Sequence, residues 1–88
     1  MRKIPKYFKG KLKIREDING YRHYIVDENR KTLDIRCGAA IEAKFGGRWI
    51  AGRYECSLTD HDTRARLYFE DDGYIVVPLE AKVRKPIT

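Results

Sequence analysis

With 88 residues, and 19 lysines and arginines against 13 acids, the chain reads as one small basic domain near the lower limit for folding on a core alone. Such a length buries only about 60–65% of the unfolded surface, which leaves little room for a deep catalytic cavity. No apolar run is long enough to span a bilayer, and no apolar segment follows the basic N-terminal residues as in a secretory signal.

The positive charge is unevenly placed. Met1–Arg15 holds seven basic residues and no acid, and the other end adds Lys82, Arg84 and Lys85. The stretch between them carries nine basic residues against all 13 acids. A basic pair of ends thus brackets a mildly acidic body. The two cysteines, Cys37 and Cys56, lack the paired spacing of a zinc or thioredoxin-like motif. Cytoplasmic localisation with reduced thiols is the expectation.

In chain order, residues 1–9 (MRKIPKYFK) show neither a strand nor a helix period and read as a basic arm. Residues 10–84 form the domain, and 85–88 a C-terminal tail. KLKIR after Gly10 alternates Leu12 and Ile14 with cations, as a half-buried strand does. Asn19-Gly20 suits a type I′ turn that would face Asp17 with Arg22 and Ile14 with Ile25. Asp27–Lys31 is a polar connection, and TLDIR is a short strand or a single helical turn.

The strongest local signal is Gly46-Gly47, set between two alternating runs. A two-residue turn there pairs Phe45 with Arg48, Ala43 with Ile50 and Ile41 with Gly52 on the core face. Glu42, Lys44, Trp49, Ala51 and Arg53 then share the opposite face. Extending the same register sets Cys37 across from Cys56, either as two small buried hydrophobes or as a cross-strand disulfide under oxidation. Ser57–Thr63 is a polar loop. RARLYFE turns Ala65, Leu67 and Phe69 inward and Arg64, Arg66 and Tyr68 outward. Asp72-Gly73 would fold Phe69 onto Val76, Pro78 should stop that strand, and Leu79–Arg84 is a short turn or a closing strand.

Short strands joined by tight turns, with no long helical period, predict an all-β, mainly antiparallel fold. A small SH3-like barrel of five or six strands is the first choice and an OB-like barrel the second. Gly38 and Gly52 fall where such a barrel needs a bulge or a bend.

LDIRCGAAIEAKFGGRWIAGRYE resembles a family of short bacterial proteins of unknown function common on mobile elements and prophages of Gram-positive bacteria. Leu33, Cys37-Gly38, Ile41-Glu42, Gly47, Trp49-Ile50 and Arg53 carry the resemblance, with weaker likeness in Gly10–Ile14 and near Val83-Arg84. The arm, the loop Thr59–Thr63 and the gap between Leu33 and Cys37 depart from it. The resemblance implies a compact β domain borne by mobile DNA. It implies no activity and assigns no functional residue.

The surface residues support two binding readings. An outward Trp49 beside Lys44 and Arg53, with the row Arg64, Arg66 and Tyr68, has the aromatic and arginine content of a protein contact. On that reading the chain is a mobile-element or phage accessory protein that binds or inhibits a host protein, such as a member of a defence complex. The alternative is single-stranded nucleic acid or RNA, held by Lys3, Lys6, Lys9, Lys11, Lys13, Arg64 and Arg66 with aromatic stacking. For Trp49 the bland alternative is a cap on the barrel; for the arginine row it is a solvated face balanced by Glu55, Glu70 and Asp71. A monomer or weak homodimer is expected, with no membrane, cofactor or metal. Cys37, Cys56, His23 and His61 lack zinc-site spacing, and His61 between Asp60 and Asp62 lacks the surroundings of a catalytic base. No enzyme is expected.

Overall fold

A computed structural model of the chain describes residues 6–55, 58–70 and 73–87. Among these, eight strands and no helix are present: β1 (Tyr7–Asp17), β2 (Gly20–Val26), β3 (Thr32–Asp34), β4 (Ala40–Phe45), β5 (Arg48–Glu55), β6 (Ala65–Tyr68), β7 (Tyr74–Val77) and β8 (Lys82–Pro86). All pairings are antiparallel, in one sheet of order β3-β2-β1-β8-β4-β5-β6-β7, curled into a half-barrel. The all-β, barrel-like fold is as the strand pattern predicts, although with eight strands rather than five or six.

Alternation explains which side is the core. Leu12, Ile25, Ile41, Ala43, Tyr54, Ala65, Leu67, Val77 and Val83 occupy one parity of their strands, and all are buried inside the curl. The other parity faces out. β4 and β5 keep the expected register from Phe45↔Arg48 to Ala40↔Arg53. Gly46 and Gly47 have φ of 55° and 80°, the left-handed pair that a type I′ turn requires.

Five local expectations are corrected. Tyr7–Lys9 are not an arm: they open β1 and pair with Pro86, Lys85 and Arg84. Lys85 and Pro86 are accordingly strand rather than tail, and the Ile87 amide donates to the Lys6 carbonyl (3.0 Å). Residues 1–5 and Thr88 lie outside the described residues. In the first hairpin Asp17 faces Gly20 and Ile14 faces His23, so the turn is Ile18-Asn19, one residue earlier than expected, and each cross-strand partner shifts by two. The Asp17 carboxylate accepts the Asn19 amide at 2.8 Å and fixes that turn. A shift of two preserves the faces, so the core survives it.

The β6–β7 register is also different. Leu67 faces Ile75 and Tyr68 faces Tyr74, and the Phe69 amide reaches Gly73 O at 2.8 Å instead of bringing Phe69 onto Val76. Asp71 and Asp72 of that turn lie outside the described residues.

The fifth correction concerns Cys37. The Gly38 amide donates to Tyr54 O (2.8 Å) and the Tyr54 amide to Ala39 O (2.9 Å), so two residues oppose one. This is a bulge with Gly38 at φ 81°. It interrupts the hairpin register at Gly38. Of the two readings of Cys37 the bonded one holds: the residue is exposed rather than a buried hydrophobe, and it is disulfide-bonded rather than reduced. Cys56 lies outside the described residues.

β1 and β8 bring the two ends of the sequence together in the middle of the sheet. β1 is 11 residues long; its first half pairs with β8 and its second half with β2. β8 returns from the far end of the sequence and lies between β1 and β4. TLDIR supplies the edge strand β3, and β7 stops before Pro78.

Candidate functional site

The outward face of β1, β8, β4 and β5 is built from alternate residues of four neighbouring strands. β1 contributes Tyr7, Lys9 and Lys11, β8 contributes Lys82 and Arg84, β4 contributes Glu42 and Lys44, and β5 contributes Trp49, Ala51 and Arg53. Register brings them together: Lys9 faces Arg84, Arg84 faces Glu42, and Lys44 faces Trp49.

Arg84 is the centre of this cluster. Its guanidinium carbon lies 4.1 Å from the Tyr7 ring centroid and 4.2 Å from that of Trp49. One of its nitrogens donates to Glu42 Oε1 at 2.8 Å. The pair is largely withdrawn from solvent, with side-chain exposures of 23% and 17%, so its charges are mutually spent rather than available to a ligand. Lys44 Nζ also stands 5.6 Å from the indole centroid. Trp49 is therefore outward-facing and half-buried, with two cations beside its ring.

Around this cluster the lysines are open. Lys9, Lys11, Lys44 and Lys82 are exposed and join no ion pair among the described residues. They line one groove with Tyr7 and Trp49, while Asp27 and Glu28 form part of its wall. Lys13, one strand position further along, is tied to Glu80, and that contact holds the Glu80 carboxyl below its usual range.

The arginine row on β6 behaves differently. Arg64 donates to Asp62 through Nε (3.0 Å) and through a terminal nitrogen (3.1 Å), and Arg66 also pairs with Asp62. Arg53 pairs with Glu55 at 3.1 Å. Arg64, just before β6, and Arg66 thus share Asp62, a loop residue that sequence reasoning had not assigned to them and whose single carboxylate offsets one of their two charges. Tyr68 lies directly across from Arg53 and packs on Tyr74, their centroids 5.1 Å apart. Arg66 stands 5.7 Å from the Tyr74 ring.

Of the expected contact residues, Trp49 and Lys44 fall in the central cluster, and Arg53 and Tyr68 lie together further along the same face. Arg64 and Arg66 are both tied to Asp62. Of the basic residues of the alternative reading, Lys9 and Lys11 join the Trp49 groove, Lys13 is paired, Lys6 precedes β1, and Lys3 lies outside the described residues. Tyr7, Lys82 and Arg84 were not expected at the site. Arg84 was legible only as one of the C-terminal cations, since nothing local says that β8 inserts beside β4.

Inside the curl, His23 Nδ1 and the Tyr54 hydroxyl lie 2.6 Å apart, linking β2 to β5. His23 is 1% exposed, and among the described residues its Nε2 has no partner at hydrogen-bond geometry. Burial pushes its pKa down, an effect that the nearby Thr63 backbone partly opposes. Burial also pushes the Tyr54 hydroxyl up to about 12. His61 is exposed in the loop, and among the described residues no three His, Cys, Asp or Glu side chains are grouped to hold a metal. No helix among the described residues is long and apolar enough to cross a membrane.

No protein-family model matches the chain, and no curated protein or solved structure matches it.

Proposed function

We propose that the chain is a non-catalytic binding module whose outward β1–β8–β4–β5 face holds nucleic acid. One observation carries this reading: the two basic ends of the sequence lie side by side as β1 and β8, with Lys44 and Trp49 next to them. Charge that looks scattered along the chain is gathered on one face. Four unpaired lysines around a fixed indole provide phosphate attraction and a stacking platform together.

Salt dependence tests it. Binding of a labelled single strand and a duplex is measured from low to physiological salt, for the natural chain and for Lys9→Ala/Lys82→Ala. If both lysines neutralise phosphates on a single strand, the double substitution lowers the slope of log affinity against log salt by about 1.4. An unchanged slope removes these lysines from the interface.

A protein partner is the second reading, favoured by the balanced pairs Arg53–Glu55 and Arg64/Arg66–Asp62 on the β5–β6 part of the face. On it, the chain would be a mobile-element accessory protein that binds or inhibits a host protein through Trp49. Specific capture that survives moderate salt and is lost in Trp49→Ala would favour it.

A further inference from the structure

Resting on the nucleic-acid reading, we infer that the ligand is a single strand several nucleotides long, stacked at two aromatic stations along β5. The first station is Trp49, with Arg84 and Lys44 beside its ring. The second is Tyr68 with Tyr74, bordered by Arg53 across the β5–β6 pairing and by Arg66 over the Tyr74 ring.

Both stations are on the same side of the sheet. Trp49, Ala51 and Arg53 alternate along β5, and Tyr68 is the direct partner of Arg53. Between them stands only the methyl group of Ala51, exposed and paired to Glu42. A second groove, lined by Ala40, Ala51, Arg53, Tyr68, Phe69 and Glu70, takes in the far station. Along the outward row of β5 a polymer meets only Ala51 between Trp49 and Arg53.

The spacing limits the length of the ligand. Four residues of β5 separate Trp49 from Arg53, which at about 3.4 Å per residue is about 14 Å. A stacked strand advances about 3.4 Å per nucleotide, so bases on the two stations are separated by about four nucleotide steps, and by fewer if the strand is extended. The chemistry selects unpaired bases, because a ring in a duplex has no free face to place on Trp49 or Tyr68. The arginines at each station are already tied to carboxylates (Arg84 to Glu42, Arg53 to Glu55, Arg66 to Asp62), so they position rings. The open lysines near Trp49 are the phosphate contacts.

Trp49 is the sole tryptophan, so its fluorescence reports the first station alone. The experiment titrates the intact chain with oligothymidylates of about two to eight nucleotides at physiological salt. A stepwise gain in affinity of roughly five- to a hundredfold between about three and six nucleotides is expected, as a second stacked base engages. Tyr68→Leu/Tyr74→Leu abolishes the step and leaves the shortest oligomers unaffected. Arg53→Glu, at a more exposed position, also reduces it and serves if the tyrosine variant fails to fold. Affinity rising smoothly with length, or a step unchanged in these variants, overturns the two-station inference while leaving nucleic-acid binding in place. Absence of quenching and of binding by every oligomer overturns both.

Discussion

Arg84 has aromatic centroids at 4.1 and 4.2 Å and a carboxylate oxygen at 2.8 Å, and these contacts depend on a planar guanidinium. A lysine there would keep the charge and lose the stack, so the residue fixes Trp49 by shape as much as by charge. At the opposite face, His23 carries a different burden: it is enclosed, its Nε2 has no partner at hydrogen-bond geometry among the described residues, and its pKa is lowered chiefly by burial. The unfolded chain, with an ordinary histidine near 6.5, binds a proton that the folded chain resists. His23 therefore costs no stability above the unfolded value, and stability falls as pH drops below it towards the lowered folded value. Urea unfolding from pH 7.5 down to about 5 should show this loss in the natural chain and a smaller one in His23→Leu. Equal slopes for both would locate the titrating group elsewhere.

Trp49 and Lys44 were legible because a two-glycine turn fixes every neighbour in a hairpin, and local register needs nothing from the rest of the chain. Arg84 and Tyr7 were not, because they meet through pairings between residues at opposite ends of the sequence. The pairing of Arg64 and Arg66 with one aspartate was hidden for a related reason. The loop acid that binds them, Asp62, precedes them by only two and four positions, but a loop has no periodicity from which its direction can be read.

At the level of elements, β1 joins the site to the core. It pairs with β8 through Tyr7–Lys11 and with β2 through Lys11–Asp17, so one strand serves two ladders that part near Gly10. A Cβ on Gly10 would lie 1.9 Å from the Val26 carbonyl oxygen, and backbone cannot retreat as a flexible side chain does. Gly10→Ala should therefore cost at least the roughly 1–3 kcal/mol of an overpacked site, seen as a fall in Tm of about 4–8 °C per kcal/mol. Gly73→Ala is the comparison: its nearest contact is an ordinary 3.6 Å to the Phe69 ring, so a change within about 0.5 kcal/mol is expected. Similar losses for the two would mean that the close approach at Gly10 relaxes without cost. The alternation of KLKIR identified this strand but placed its start at Gly10, because Pro5, the clustered cations and the adjacent Tyr7-Phe8 hide the period. Its partner β8 shows no such pattern on its own.

For the molecule as a whole, the sheet brings cations from both ends of the sequence onto two adjacent interior strands, β1 and β8. A half-barrel leaves that convex face open while enclosing the His23–Tyr54 link on the other side. Charge counting along the sequence finds two basic ends and an acidic middle, an arrangement compatible with tails, docking arms or a binding face. Strand order gathers both ends on one face, and it was not readable, since the long-range pairing of β1 with β8 is what joins the ends.

The most direct test is a backbone NMR titration of the chain with an oligothymidylate of about six nucleotides at physiological salt. Chemical-shift changes concentrated on β1, β8, β4 and β5, led by Lys9, Lys44, Trp49, Lys82 and Arg84, are the predicted result. Changes confined to β2, β3 or the loop around Asp62, or none at saturating oligonucleotide, would show that the lysine-rich face around Trp49 is not a nucleic-acid surface.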